Sequence, residues 1–205
     1  MAVHFLGTPI DVHSGGADLT FPHHESEIAQ AEGATGKEPF VRFWAHTAMV
    51  RHEGEKMSKS LGNLVMVADL LKDWSADALR LYLARHHYRH AWSHDLSELE
   101  ASHRLARTVG EAVTAAGGSS DELGTGKARE HFARAMDDDL DSPQAIDGLE
   151  RFASEILDAA AEARDVEAAK EALRAMAGVL GLRLGAAKPS ERVTTGWLGY
   201  LENFT

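Results

Sequence analysis

Cysteine is absent from this sequence of 205 residues. That excludes disulfides, thiolate metal sites and a cysteine nucleophile, and it agrees with a reducing, cytoplasmic setting. Long apolar runs are missing too, so no segment offers the roughly 20 consecutive apolar residues of a transmembrane helix. The first residues lack the charged-then-apolar layout of a secretory leader. Nor is there a basic excess: Lys and Arg number 21 against 32 Asp and Glu, a formal net charge of −11. Such a field repels nucleic acid unless basic side chains gather on one face, which argues against tight, nonspecific RNA binding. Internal repeats, low-complexity tracts and a GxGxxG dinucleotide fingerprint are also not found. What remains is an ordinary soluble composition, 44% hydrophobic and 26% charged, long enough for one good core or two small domains.

Val3 to Leu6 and Ile10 to His13 alternate apolar and polar residues, which predicts one or two strands separated by the Gly7-Thr8-Pro9 turn. Ser14-Gly15-Gly16-Ala17-Asp18 follows directly, a turn whose glycine pair would let backbone approach a ligand. Pro22 is well placed to open a helix running to about Glu32. On it His23 and Glu27 stand four apart on one face, a spacing that suits two corners of a zinc site or an ordinary surface pair. After a polar connector from Gly33 to Pro39, the apolar run from Phe40 to Val50 predicts a strand. His46 lies inside it, either a satisfied core histidine or one that faces a substrate.

The most informative stretch is Gly54-Glu55-Lys56-Met57-Ser58-Lys59-Ser60-Leu61-Gly62-Asn63. Two ammonium groups three residues apart, two hydroxyls and flanking glycines suit a triphosphate whose leaving pyrophosphate gathers charge. A solvated turn with two surface lysines is the alternative. Beyond it helices dominate. Ser75 is a plausible N-cap for Ala76 to Arg85, and His86-His87-Tyr88-Arg89-His90 is a polar end able to meet a phosphate or simply water. Asp95 to about Ala116 is amphipathic, with Leu96, Leu99, Leu105, Val109 and Val113 on its apolar side. Residues 117–126 form a flexible, polar linker rich in glycine. A short helix over Glu130 to Met136 leads to the acidic run from Asp137 to Asp141, a helix-start charge cluster without the loop spacing of a calcium site. Ser142-Pro143 then opens a helix to about Glu162, and another runs from Val166 to a glycine cap at Gly181. Trp197, Tyr200 and Phe204 suggest a last amphipathic turn.

Lys56-Met57-Ser58-Lys59-Ser60 is the KMSKS signature of class I aminoacyl-tRNA synthetases. With Asp11 to Leu19, Phe21 to Gln30, Asp77-Ala78-Leu79-Arg80 and Met136 to Leu140 in the same order, the chain resembles a cysteinyl-tRNA synthetase from Met1 to about Leu184. The resemblance implies an α/β region followed by an all-α one: the second half of a class I nucleotide-binding, Rossmann-like domain, then a helical bundle. It divides the chain into a catalytic part at 1–64, a helical stem-contact region at 65–116, the linker at 117–126 and a helical domain at 127–205. It implies that His23 and Glu27 bind zinc, which recognises the cysteine thiolate, and that His13 and His46 line the amino-acid pocket. Lys59 would steady the triphosphate with support from Lys56, within a catalytic set of Lys56, Ser58, Lys59 and Ser60. Met57, Lys59, Gly15, Gly16 and Asp18 would form the ATP site. ATP with magnesium, cysteine and tRNA(Cys) are the implied ligands and partners, with no membrane.

The departures are specific. The family's other two zinc ligands are cysteines, and this chain has none. The HIGH motif that cradles ATP is absent as well. The expectation is therefore a fragment, a truncated form or one half of a split enzyme that works with a separate amino-terminal half. No basic anticodon-reading module is evident. Two other readings stay open: the cysteine ligase of mycothiol biosynthesis, whose acceptor is a glucosaminyl-inositol amine, and a non-catalytic binding module with vestigial motifs. A tRNA enzyme would present a basic face near Arg80, Arg85 and Arg89. A small-molecule ligase would close a polar pocket there.

Overall fold

The computed structural model describes residues 2–57 and 62–184. Ser58, Lys59, Ser60 and the aromatic tail at Trp197, Tyr200 and Phe204 lie outside the described residues.

The chain opens on a short helix, α1 (Ala2–Leu6), not on the expected strand. Gly7 closes it at φ 76°, donating its N–H to the Val3 carbonyl at 3.0 Å, a left-handed end that glycine takes without steric cost. Four alternating residues are too few to separate a period of 2 from one of 3.6, which is why the pattern misled. Strand β1 (Ile10–Gly16) pairs in parallel with β2 (Val41–Thr47), in a register running from Ile10 opposite Val41 to Gly16 opposite Thr47. The Gly15–Gly16 pair, expected in a turn, therefore ends the strand itself. The crossover is helix α2 (Glu25–Thr35), capped by Gly36 at φ 65°. It starts after Pro22 rather than at it. A 3-10 turn over Ala17–Leu19 and a wider turn over Thr20–His24 come first, with Phe21 extended at φ −135°, ψ 134°. A residue before proline is driven out of helical space, so the chain bends there before α2 can begin. Ile10, Phe40 and Val41, with Ile28 and Ala31 of α2, form the small core of this βαβ unit.

Strands β3 (Val50–His52) and β4 (Glu55–Lys56) make a hairpin with Gly54 at φ 79°. Helices α3 (Val67–Asp73) and α4 (Ala76–Ala84) follow, and β5 (Trp92–Ser93) returns to lie parallel to β3. Ser75 caps α4 as its sequence predicts, its Oγ accepting the Ala78 N–H at 3.1 Å. Asp95 caps α5 (Leu96–Thr114) by accepting the Ser97 N–H at 2.7 Å. Leu99, Leu105, Val109 and Val113 face inward, whereas Leu96, in the opening turn, stays exposed. Then come β6 (Ser120–Glu122), α6 (Gly126–Asp137), α7 (Ser142–Ala161), β7 (Arg164–Asp165) and α8 (Glu167–Val179). Asp141, not Ser142, caps α7, accepting the Gln144 N–H at 3.1 Å, and Pro143 sits in the first turn.

The stretch 117–126, expected to be a flexible linker, is tied down. β6 pairs in parallel with β7, the Gly118 N–H bonds the Arg164 carbonyl at 2.7 Å, and a Cβ on Gly118 would stand 1.9 Å from the Ala163 carbonyl oxygen. Glycine is needed here for close backbone approach rather than for flexibility. The helices on either side share one apolar core, which takes in Leu81 of α4, Leu105 and Val109 of α5, Phe132 of α6, Phe152 of α7 and Leu173 of α8. Among the described residues no helix is long and apolar enough to cross a membrane.

Where β5 meets α4, the His86 ring stacks on Trp92 with centroids 3.8 Å apart, and the Tyr82 hydroxyl lies 2.8 Å from His94 Nδ1. Burial, the largest cause, pushes both His86 and His94 below the ordinary imidazole range. The folded state therefore takes up fewer protons than the unfolded chain once pH drops below about 6.5. Their contribution is complete above that value and is lost as pH falls toward the folded pKa values. The melting temperature is expected to drop on going from about pH 7.5 to about pH 5.5, and to drop less in a His86→Gln/His94→Gln variant. An equal drop in both proteins would remove these histidines as the cause.

Candidate functional site

Side chains alternate across a strand, so His13 and Gly15 share one face of β1 while Trp44 and His46 share the same face of β2. The register sets His13 opposite Trp44, and the two rings stack at 4.9 Å. Trp44 also lies parallel to His46, 6.0 Å away. Val12 and Phe43, paired on the opposite face, are 61% and 69% exposed.

Over the inner face comes His24, delivered by the turn that precedes α2 and only 3% exposed. Its ring rests on Gly15: a Cβ there would stand 2.8 Å from His24 Cε1 and 3.1 Å from Leu19 Cδ1. His24 Nδ1 is 2.8 Å from His46 Nε2, so one neutral ring donates and the other accepts. Burial holds His24 below the ordinary imidazole range, and the neighbouring His13 and His46 add to this. In the first turn of α2, Glu27 Oε2 lies 2.8 Å from His13 Nε2 of β1, and Glu27 Oε1 lies 3.7 Å from His23 Nε2. Glu27 is thus flanked by two imidazoles, one from β1 and one from its own helical face. His23 remains 59% exposed.

The expected metal pair therefore belongs to a larger constellation. Donor atoms of His13, His24 and Glu27 lie within 4.8 Å of one another, closer together than the sequence alone indicated. His23 stands at the rim. Trp44 and His24 were not singled out from the sequence. The signal for Trp44 was its two-residue offset from His46, and for His24 the need for glycine at a position under a ring.

Next to this cluster, at the end of β1, Asp18 accepts a charged hydrogen bond from Lys56 Nζ at 2.8 Å. That bond holds the Asp18 carboxyl below its ordinary range. Gly16 packs against the Asp18 carboxylate: a Cβ there would stand 2.5 Å from Oδ1. The first lysine of the lysine–serine loop is therefore brought to Gly15, Gly16 and Asp18 by the β3–β4 hairpin. Met57 follows it, half-buried.

Two of the three arginines expected as a basic face make ion pairs within the protein. Arg85 bonds Glu150 of α7 at 2.9 Å, and Arg89 bonds Asp139 through two nitrogens. Arg80 lies against Gly181, whose added Cβ would be 2.8 Å from Nη1. Arg85, His86, Glu98, Pro143 and Asp147 line a cavity of about 380 Å³.

Gly15→Ala is expected to displace the His24 ring and to cost about 1–3 kcal/mol of stability by overpacking. NMR would read this as shifted imidazole resonances of His24 and His46 with the resonances of α7 and α8 unmoved. Unmoved ring resonances would contradict the packing described here.

Comparison with known proteins adds three findings. Residues 1–104 match the family described as tRNA synthetases class I (C) catalytic domain, and residues 131–185 match the DALR domain. Among curated proteins, a cysteine–tRNA ligase of Desulforudis audaxviator is 51% identical over 109 residues, which cover 53% of this chain and 23% of that protein. One of Bacillus pumilus is 50% identical over 102 residues, covering 50% of this chain and 22% of that protein. Among solved structures, a ternary complex of an Agrobacterium radiobacter LeuRS with tRNA and LeuAMS superposes with a TM-score of 0.62. It is 16% identical, covers 89% of this chain and 28% of that one, and so shows a likeness of fold.

Proposed function

This chain belongs to the family of class I (C) tRNA synthetase catalytic domains, and from that premise we propose that it forms part of a cysteine–tRNA ligase, which activates cysteine with ATP and transfers it to tRNA(Cys). The observation that carries the reading is the shared face of β1 and β2. There four histidines and Glu27 gather beside Gly15, Gly16, Asp18 and Lys56. In this reading the histidine cluster forms the amino-acid side of the site and Gly15, Gly16 and Asp18 its floor, with Lys56 already held there by Asp18, as activation of an amino acid by ATP requires.

In this reading the β1–β2 unit is the second half of a Rossmann-like nucleotide-binding domain. Exposed Val12 and Phe43 support it, since parallel sheets are ordinarily covered on both faces. A separate amino-terminal segment with further strands is the partner that would cover them.

The reaction is attack of the cysteine carboxylate on the α-phosphorus of ATP, with pyrophosphate leaving and an aminoacyl adenylate formed. Gly15, Gly16, Asp18 and Met57 shape the ATP site. Lys56 and Lys59, with Ser58 and Ser60, neutralise the departing phosphates, and magnesium accompanies ATP. Asp18 presets Lys56 before substrate arrives, so little reorganisation remains at the moment of reaction. His13 and His46 wall the amino-acid pocket, and His24, kept neutral by burial, orients His46 through their hydrogen bond.

The donor set suits zinc. Two ligand atoms on a tetrahedral zinc stand about 3.4 Å apart, and the His23–Glu27 separation is 3.7 Å. His23 and Glu27 would hold the ion, with His13 as the nearest further nitrogen. Bound there, zinc would favour a thiolate over a hydroxyl and so select cysteine over serine.

A second reading is favoured by the engaged arginines: a cysteine ligase with an amine acceptor, as in mycothiol biosynthesis. The deciding experiment is cysteine-dependent ATP–pyrophosphate exchange with bound zinc measured on the same sample. It is run on this chain alone and mixed with a segment bearing HIGH and two cysteines. Exchange with about one zinc per complex supports the proposal, and charging of tRNA(Cys) against the amino sugar then separates the two acceptors. No exchange and no zinc in either sample overturns both readings and leaves a binding module.

A further inference from the structure

We propose that Asp139, on the turn between α6 and α7, is a positioning residue that sets the β2–β3 turn beside Gly16 by way of Tyr88 and Arg89. The route is a chain of short contacts. The Asp139 carboxylate accepts from Arg89 Nε at 2.5 Å, from Arg89 Nη2 at 3.0 Å and from the Tyr88 hydroxyl at 2.7 Å. The Arg89 guanidinium lies 5.0 Å from the centroid of the Tyr88 ring, so the two donors brace each other. Tyr88 then passes the restraint on through its backbone, its carbonyl accepting the Ala48 N–H at 2.7 Å. Ala48 and Met49 are the residues between β2 and β3, and Met49 Sδ lies 3.6 Å from where a Cβ would stand on Gly16. Immediately beyond, β3 and β4 carry Lys56 to Asp18.

The turn that presents Asp139 is itself strained. Asp139 and Leu140 adopt φ 51° and 56° in succession, a left-handed pair that a leucine rarely enters. Leu140 is 56% exposed, so its own packing does not hold it there. Such strain persists where surrounding contacts over-determine it, and the three donors on Asp139 are contacts of that kind. A bidentate arginine adds direction to the restraint, because its planar fork fixes the carboxylate plane. With Arg89 and Tyr88 as the leading causes, the Asp139 carboxyl is held down to about 2, so it stays charged throughout the neutral range. Beside the β3–β5 pairing, the helical unit thus reaches the wall of the glycine floor through a carboxylate some 50 residues away in sequence from Arg89.

The inference deepens the proposed function, since it rests on the reading that Gly15, Gly16 and Asp18 floor an ATP site. The positional link can be measured without that reading. Hydrogen exchange of the full chain is compared with Asp139→Asn, Asp139→Glu and Arg89→Gln. Loss of a charge-assisted bond is expected to speed exchange across 44–52 by about tenfold in Asp139→Asn and Arg89→Gln. Exchange in α7 and α8 should stay unchanged, and Asp139→Glu should recover most of the protection. Faster exchange confined to 86–91 and 137–141, with 44–52 unmoved, overturns the proposal. If Asp139→Asn loosens the whole helical unit, Arg89→Gln decides, because it changes no residue of the turn and leaves the Tyr88 hydroxyl on Asp139. Failure of the ATP reading looks different: 44–52 responds to Asp139→Asn but wild-type exchange there is indifferent to ATP. The positioning role then stands without its nucleotide.

Discussion

Lys59→Ala is expected to slow adenylate formation by about 10²–10³-fold, the usual loss when one preorganised donor to a developing anion is removed. The measurement is cysteine-dependent ATP–pyrophosphate exchange in a preparation that contains this segment and supports the reaction. Lys56→Ala provides the comparison. Lys56 is fixed by Asp18 at 2.8 Å, so its ammonium is placed before ATP binds. Its loss should raise KM for ATP as well as lower kcat, because it meets ground-state and transition-state phosphates alike. Lys59→Ala should fall chiefly on kcat. Exchange rates unchanged in Lys59→Ala would sink the assigned role of the lysine–serine loop. Asp18→Asn should move in the direction of Lys56→Ala, since it releases the same ammonium group.

Phe152→Ala is expected to destabilise the helical unit by about 3–5 kcal/mol, read from urea denaturation. That is a large share of the roughly 5–15 kcal/mol that ordinary domains possess. Phe152 is 1% exposed, on α7, at the centre of a core to which α4, α5, α6 and α8 all contribute. No neighbouring helix can close the void alone, because each is already packed against another. Leu96→Ala, on the exposed opening turn of α5, should cost far less. Equal losses in the two variants would mean that the core is not assembled as described. A loss confined to α6–α8 would mean that the stretch 117–126 separates two independent units after all.

Local signals were reliable where the physics is local. Ser75 caps its helix as expected because its side-chain oxygen reaches an N–H three residues on, and nothing distant interferes, although at α7 the cap falls one residue earlier than expected, on Asp141. Leu99, Leu105, Val109 and Val113 repeat at helical spacing, and so point to one side whatever they meet there. The turn before α2 was read less well. Pro22 announced a helix, yet proline's effect on Phe21 delayed it to Glu25 and swung His24 inward over Gly15. The glycine-rich stretch was misjudged for a related reason. Flexibility and close approach use the same residue type, and only the position of the Ala163 carbonyl tells which applies at Gly118.

Composition and motif order settled a good deal: the absence of cysteine chemistry, the family and the helical character after the lysine–serine loop. These are matters of residue type and spacing along the chain, and spacing survives any folding. Packing across the chain settled the rest. The parallel register chose which histidines meet, making His24 the buried partner of His46 and leaving His23 at the rim. The docking of α4 and its following loop on α7 and the α6–α7 turn committed Arg85 to Glu150 and Arg89 to Asp139, partners more than 45 residues away. A charge carries no mark of its partner along the chain. The partner is selected when helices close on a common core and the nearest opposite charge is whatever that geometry supplies.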